Sequence, residues 1–240
     1  MSGRATAWIA SGEVWVQESE KASPSPLEAR LPGAPALVAI SETPSRVAIT
    51  TTNRLFLFDP KANTMLAETE VPNAYTHYSF DTMWFSGHGH LVTGKYASQA
   101  LWDADNLEKV LDVADLKITA HYVAHANSLD KSGRLFSCIG MGQHLVVIDI
   151  SRRQILVNGS LPGRGVSAGK DLAFHPEYGN LLFCVNGSGE IILWNSADNS
   201  MKVLAREKND WASCFFPSVD TLTTVDARGG CFSWALDFDL

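Results

Sequence analysis

A short apolar strand ending in an aromatic or aliphatic residue followed by Asp, or by a looser substitute of that ending, recurs six times along the chain. The endings fall at Gln17-Glu18, Phe58-Asp59, Trp102-Asp103, Ile148-Asp149, Trp194-Asn195 and Trp234-Ala235, with the first and last matching least well. Their second members stand 41, 44, 46, 46 and 40 residues apart. A period of roughly 40 to 45 residues carried by short strands rather than helices is the signature of propeller blades. Such a period declares an architecture and leaves the function to whatever site is placed on it.

The rest of the composition agrees with many short strands and turns. Of 240 residues, 45% are apolar and only 19% charged, while 18 Gly and 10 Pro are spread along the chain instead of bunched; one all-β domain over 1–240 is expected. The net charge of −7 would meet a phosphate backbone with overall repulsion, which argues against direct nucleic-acid contact. No apolar run approaches the roughly 18 to 20 residues needed to cross a bilayer, and 1–10 lacks the apolar core of a secretory signal. Cys138, Cys184, Cys214 and Cys231 show no metal-binding or redox spacing and sit in apolar strand-like stretches, so they read as small hydrophobes. A reducing compartment, cytoplasmic or nuclear, is the expected setting.

The clearest unit spans 166–208. Asp171-Leu172-Ala173-Phe174-His175-Pro176 reads as a strand closed by Pro, 181–185 as a continuous apolar strand, Asn186-Gly187-Ser188-Gly189 as a tight turn, 190–194 as a third strand and 202–205 as a weaker outer one. Strand, loop, strand, tight turn, strand, loop and edge strand make the meander of one blade. The Phe-His-Pro close and the third strand Gly-Glu-Ile-Ile-Leu-Trp-Asn resemble the consensus of the WD-repeat family. The next unit repeats them with Cys214-Phe215-Phe216-Pro217, a strand at 221–225, a turn at 226–230 and a strand at 231–234. Earlier blades are expected at 37–70, 75–113 and 118–159, with first strands of the last two near 78–80 and Tyr122. Cys138 and Cys184 then occupy equivalent positions, which supports a structural role for both thiols. Inner strands buried on both faces account for apolar runs in place of strict alternation.

The ends depart from the repeat. Segments 6–10, 13–17 and 27–31 supply a second, third and fourth strand of a first blade (6–32), and the last blade (211–240) stops after its third strand. The expected fold is therefore an all-β, WD40-like propeller of about six four-stranded blades with an unfinished seam between the N- and C-terminal segments. Three readings of that seam stand side by side. The 27–31 strand could close the last blade, as WD-repeat rings usually close. The ring could be open to a partner's strand or blade, as the resemblance to coat-complex and nuclear-pore scaffold propellers implies. Or natural upstream sequence could complete the first blade.

Several chemical motifs fail on context. Gly165-Val166-Ser167-Ala168-Gly169 matches a G-x-S-x-G nucleophile elbow, but that elbow needs a helix after the serine and here a strand follows. Gly163-Arg164-Gly165 likewise lacks the helix that a dinucleotide phosphate requires. His88 and His90 alternate in the loop 86–90, yet no third metal ligand can be named. No pair of carboxylates has a spacing that argues for acid and base roles. The chain also departs from the family: its Gly-His pairs, at 87–90, lie between a first and a second strand, and Asp226 is the one turn Asp in the usual place.

In the family, loops before each first strand and between second and third strands gather on one face and commonly dock peptides or subunits. The resemblance thus implies rim candidates Tyr75, His77, His121, Tyr122, Lys170, Asp171, Asp210 and Trp211, with Arg54, Gln143 and Arg228 in the intervening turns; aromatic residues with Arg and His are typical of interaction hot spots. The expected function is a non-catalytic scaffold subunit of a multiprotein assembly, binding other protein subunits through its rim or by strand completion. No cofactor, metal, catalytic residue or small-molecule substrate is identified, and no membrane insertion is expected. The alternatives are an accessory subunit of an RNA-processing or RNA-modifying complex, and a propeller enzyme with a metal or acid/base site in its channel.

Overall fold

Among the described residues, twenty-two strands account for nearly all regular structure. The computed structural model describes residues 5–28, 30–71, 82–95, 98–116, 124–140, 143–162 and 169–236. The chain forms two compact units, Met1–Asp115 and Leu116–Leu240, each holding three antiparallel sheets whose strands neighbour one another in chain order.

In the first unit, β1 (Thr6–Ala10), β2 (Glu13–Gln17) and β3 (Ser25–Pro26) make a three-stranded sheet. A four-stranded sheet follows, of β4 (Leu37–Glu42), β5 (Ser45–Thr50), β6 (Arg54–Asp59) and β7 (Thr64–Glu70). The third sheet holds β8 (Thr82–Phe85), β9 (His90–Lys95), β10 (Ser98–Asp103) and β11 (Lys109–Asp112). In the second unit, the fourth sheet comprises β12 (Ala124–Leu129), β13 (Leu135–Gly140), β14 (His144–Asp149) and β15 (Gln154–Ser160). The fifth comprises β16 (Gly169–Phe174), β17 (Leu181–Asn186), β18 (Glu190–Asn195) and β19 (Ser200–Arg206). The sixth has β20 (Trp211–Ser218), β21 (Thr221–Asp226) and β22 (Cys231–Ala235).

Burial follows strand position. All six residues of β17 are buried, because both faces of a second strand are covered by neighbouring sheets. The outer strand β19 alternates exposed and half-buried residues along its whole length, as a strand must when one face packs and the other is wet. Between the fourth and fifth sheets, Leu145, Val147, Leu182, Cys184, Ile192 and Trp194 form one apolar cluster. Between the second and third, Leu55, Leu57, Leu91 and Trp102 form another. Each such side chain, fully buried, contributes about 1.5–3 kcal/mol.

The recurring acidic strand ending has a local cause. Asp59 Oδ1 accepts the backbone N–H groups of Lys61 and Ala62 at 2.9 and 3.1 Å. Asp103 Oδ1 accepts those of Asp105 and Asn106 at the same two distances, 2.9 and 3.1 Å. Asp149 Oδ1 accepts the Ser151 hydroxyl and the Arg152 N–H, and Asn195 Oδ1 accepts the Ala197 N–H. Each side chain thereby closes the turn from third to fourth strand as an Asx-turn. Four residues beyond each one the backbone is left-handed, at Asn63 (φ 52°), Leu107 (58°), Arg153 (49°) and Asn199 (54°). The hairpin then shifts register by one residue, the mark of a bulge that increases local twist.

Polar links join the last two sheets of the second unit. His175, fully buried, donates from Nε2 to the Val219 carbonyl at 2.7 Å, while its Nδ1 accepts the N–H groups of Glu177 and Tyr178. Acceptance at Nδ1 fixes the neutral Nε2–H tautomer. The Phe-His-Pro close of the fifth sheet is thus a structural clip.

Three expectations require correction. The outer strand of the first sheet is Ser25–Pro26, not 27–31, because the Leu27 N–H donates to the Val14 carbonyl at 2.8 Å and its side chain is buried against Val14 and Val16. Leu27 thus continues the pairing with β2. The first strand of the third sheet is Thr82–Phe85, whereas the expected 78–80 lies outside the described residues, as does Tyr122. Cys231 is exposed, unlike the buried Cys138, Cys184 and Cys214, because no outer strand covers β22 among the described residues.

Candidate partner-binding surface

The expected rim residues fall into three groups. Tyr75, His77, His121 and Tyr122 lie outside the described residues. Trp211 and Gln143 are buried, 0% and 3% exposed. Lys170, Asp210 and Arg228 are exposed, and Arg54 and Asp171 are partly so.

Arg54, at the start of β6, forms ion pairs with Glu68 and Glu70 of β7, so its guanidinium is held on its own hairpin. Gln143 adopts a left-handed conformation (φ 59°) and its carbonyl accepts the Leu161 N–H at 2.8 Å; it is a turn residue under cover. Asp171 Oδ2 accepts the Cys214 N–H at 3.0 Å and Oδ1 accepts the Leu172 N–H at 2.9 Å. Burial pushes its carboxyl above the ordinary range, against the opposing pull of these hydrogen bonds. Such a carboxylate ties β16 to β20.

Trp211 differs most from expectation. Its ring stands edge-on to Phe232 at 5.2 Å and to Trp234 at 6.1 Å between centroids, so two aromatic residues of β22 roof it. Its Nε1 is buried and finds no hydrogen-bond partner among the described residues. Asp210, just before it, accepts the Ala227 N–H on its carbonyl at 2.8 Å, which brings Asp210 and the Arg228 turn to one end of the sixth sheet.

The surface that the rim residues did not identify is the outer edge of β22. Its five residues are exposed except for a half-buried Trp234. By register, Phe232 opposes Thr224 and Trp234 opposes Leu222, as Ile192 opposes Cys184 and Trp194 opposes Leu182 in the fifth sheet. Phe232 is 38% exposed where its counterpart Ile192 is 0%. What the sequence does not announce is that the apolar side chains of β22 are exposed.

Other candidate chemistry finds no support in the arrangement. His88 lies in a turn and His90 begins β9; burial holds the His90 imidazole below its usual range. Among the described residues no group of three His, Cys, Asp or Glu side chains could hold a metal ion. Residues 163–168 lie outside the description, and Gly169 opens a strand, not a helix. Burial raises the thiol pKa of both Cys184 and Cys214, which makes them poor nucleophiles. No described helix is long and apolar enough to cross a membrane.

No family model matches the chain, and no curated protein sequence matches it. Solved structures do. The computationally designed Ika8 protein superposes with a TM-score of 0.69 at 14% identity, covering 98% of this chain and 69% of that one. The WD40 domain of Neurospora crassa Pan2 gives a TM-score of 0.66 at 10% identity, covering 98% of this chain and 72% of that one. At such identities the likeness concerns the fold alone: the chain has a WD40-like all-β fold of six antiparallel three- and four-stranded sheets.

Proposed function

We propose that the protein is a non-catalytic interaction scaffold, a subunit of a multiprotein assembly in the cytoplasm or nucleus, which holds other protein subunits at its loops and at an uncovered sheet edge. The observation that carries this reading is β22, an apolar third strand left exposed where β6, β14 and β18 are largely buried. An uncovered edge presents unpaired backbone N–H and C=O groups and serves as a template for another strand. Exposed Phe215, Val219 and Phe232 add apolar area to the same sheet, and the exposed Lys170, Asp210 and Arg228 supply polar contacts around it. Affinity purification of the intact chain under mild extraction, followed by cross-linking and mass spectrometry, tests the proposal. Stoichiometric partner proteins are expected; a stably monomeric chain that captures none overturns it.

A further inference from the structure

Three of the ten prolines follow a serine or threonine, at Ser23-Pro24, Ser25-Pro26 and Thr43-Pro44. Proline fixes its own φ and pushes the residue before it out of the helical region, so the tandem Ser-Pro-Ser-Pro favours an extended stretch. The fold keeps it extended. Ser25 and Pro26 form β3, opposite Val16 and Trp15 of β2, and all four residues from Ser23 to Pro26 are exposed.

The tandem is held at both ends. Before it, Gln17 Nε2 donates to the Ala22 carbonyl at 2.9 Å, and the Ala22 N–H donates to the Ser19 carbonyl at 3.0 Å. After it, the Leu27 N–H donates to the Val14 carbonyl at 2.8 Å and the Glu28 N–H to Asn63 Oδ1 at 3.1 Å. β3 is the outer strand of its sheet, where proline guards an edge because it cannot donate to a further strand. Edge protection accounts for the prolines and leaves the hydroxyl before each unexplained. Thr43-Pro44 is built differently: Glu42 pairs with Ser45, so this third pair is the tip of a tight hairpin with no extended stretch around it.

Ser23 and Ser25, two positions apart in an extended stretch, share one side of the chain. Both line a cleft with Val16, Glu18, Glu28 and Asn63. Among the described residues that cleft has two carboxylates, Glu18 and Glu28, and no basic side chain. Across 13–28 the charged residues are Glu13, Glu18, Glu20 and Glu28 against Lys21 alone. A further anion placed there meets repulsion.

We propose that the segment Ser23 to Pro26 is a phosphoacceptor site for a proline-directed serine/threonine kinase, and that phosphate there loosens β3 from β2. Such a kinase reads an exposed hydroxyl, an extended backbone and a proline next in sequence, and the tandem combines all three. The hydroxyl oxygen of Ser23 or Ser25 attacks the γ-phosphorus of ATP. An O–P bond forms, the bond from that phosphorus to the bridging oxygen of the β-phosphate breaks, ADP leaves, and the hydroxyl proton passes to a carboxylate of the kinase. Each phosphate brings roughly −1.5 to −2 charges beside Glu18 and Glu28, and β3 is a strand of only two residues. The inference goes beyond the scaffold reading and does not rest on it.

The test incubates the intact folded chain and Mg2+–ATP with a purified cyclin-dependent kinase and, separately, with a purified mitogen-activated kinase. Mass spectrometry locates the phosphate, and amide hydrogen exchange is followed at Leu27 and Glu28. Phosphate is expected on Ser23, Ser25 or both, on Thr43 only after unfolding, and on neither serine once Pro24→Ala and Pro26→Ala are combined. Exchange at Leu27 and Glu28 should quicken about fivefold on phosphorylation, and Glu18→Gln with Glu28→Gln should remove most of that gain. The inference is overturned if neither kinase modifies Ser23 or Ser25, if Thr43 of the folded chain is modified equally well, if the two proline changes leave the rate as it was, or if exchange at Leu27 and Glu28 stays the same. None of these outcomes bears on the co-purification test of the scaffold reading, and a chain that captures no partner can still be phosphorylated.

Discussion

Asp171 Oδ2, on the first strand of the fifth sheet, accepts the backbone N–H of Cys214 on the first strand of the sixth at 3.0 Å. The bond crosses from one sheet to the next through a carboxylate that burial has pushed above its usual pKa, with hydrogen bonds from Cys214, Leu172 and Ser213 acting in the opposite direction. A folded-state pKa above the unfolded value of 3.8 means that the native state holds the proton longer. Stability contributed by this group is therefore fullest at low pH and declines as pH rises from about 4 through the folded pKa. Relative to Asp171→Asn, which does not titrate, the wild type should lose ground between pH 4.5 and pH 7. Urea unfolding at both pH values checks the sign.

Removing the acceptor altogether is a different perturbation. Asp171→Ala leaves the Cys214 N–H without its partner, and the expected loss is about 1–3 kcal/mol at neutral pH. Asp171→Asn, which keeps an acceptor oxygen, should lose less. Paired denaturation curves at pH 7 measure the difference.

Two Trp indoles repeat one contact in different surroundings. Trp102 Nε1 donates to Thr93 Oγ1 at 2.8 Å, and Trp234 Nε1 to Thr224 Oγ1 at 2.9 Å. Trp102 is buried, whereas Trp234 is half-exposed on the uncovered strand. Thr93→Val should cost about 1–3 kcal/mol by stranding a buried N–H. Thr224→Val should cost less, because water can reach the indole at the edge. A loss at Thr224 equal to that at Thr93 would contradict the exposure of β22.

The Asx-turns make a further prediction. Asp149 is 1% exposed and closes its turn through Ser151 and Arg152. Asp149→Ala should destabilise the protein by about 1–3 kcal/mol, while Asp149→Asn, which matches Asn195 in the next sheet, should retain most of the stability. Thermal or urea unfolding of the two variants separates a capping role from a charge role.

Thiol labelling reads the edge directly. Cys138, Cys184 and Cys214 are buried and Cys231 is exposed; burial raises the thiol pKa of both Cys184 and Cys214. A maleimide should modify one cysteine rapidly in the native chain, at position 231, and all four only after unfolding. Rapid labelling of Cys184 would refute the packing of the fourth and fifth sheets described above.

The sequence carried most of the fold because its signals are local. An Asp or Asn at the end of an apolar strand, followed four residues later by a left-handed residue, specifies a turn and a bulge with no help from distant parts of the chain. That is why the endings at 59, 103, 149 and 195 are legible, and why Cys138 and Cys184 could be placed at equivalent positions: they oppose Val146 and Ile192 in matching registers. The candidate surface was less legible. Trp211 reads as a rim aromatic from its place before the first strand, yet Phe232 and Trp234 fold over it, a contact between residues more than twenty positions apart.

By itself, then, the sequence determined the repeat, the strands and the turns that join them, since these follow from neighbours along the chain. Tertiary structure alone decided which side chains those strands cover. Whether the segment after β2 pairs with β2 or with another sheet and whether Trp211 is exposed depend on sheets brought together from distant residues. Exposure is a property of that packing, so the uncovered edge of β22 became a candidate site only once its buried counterparts in the fifth sheet could be compared with it.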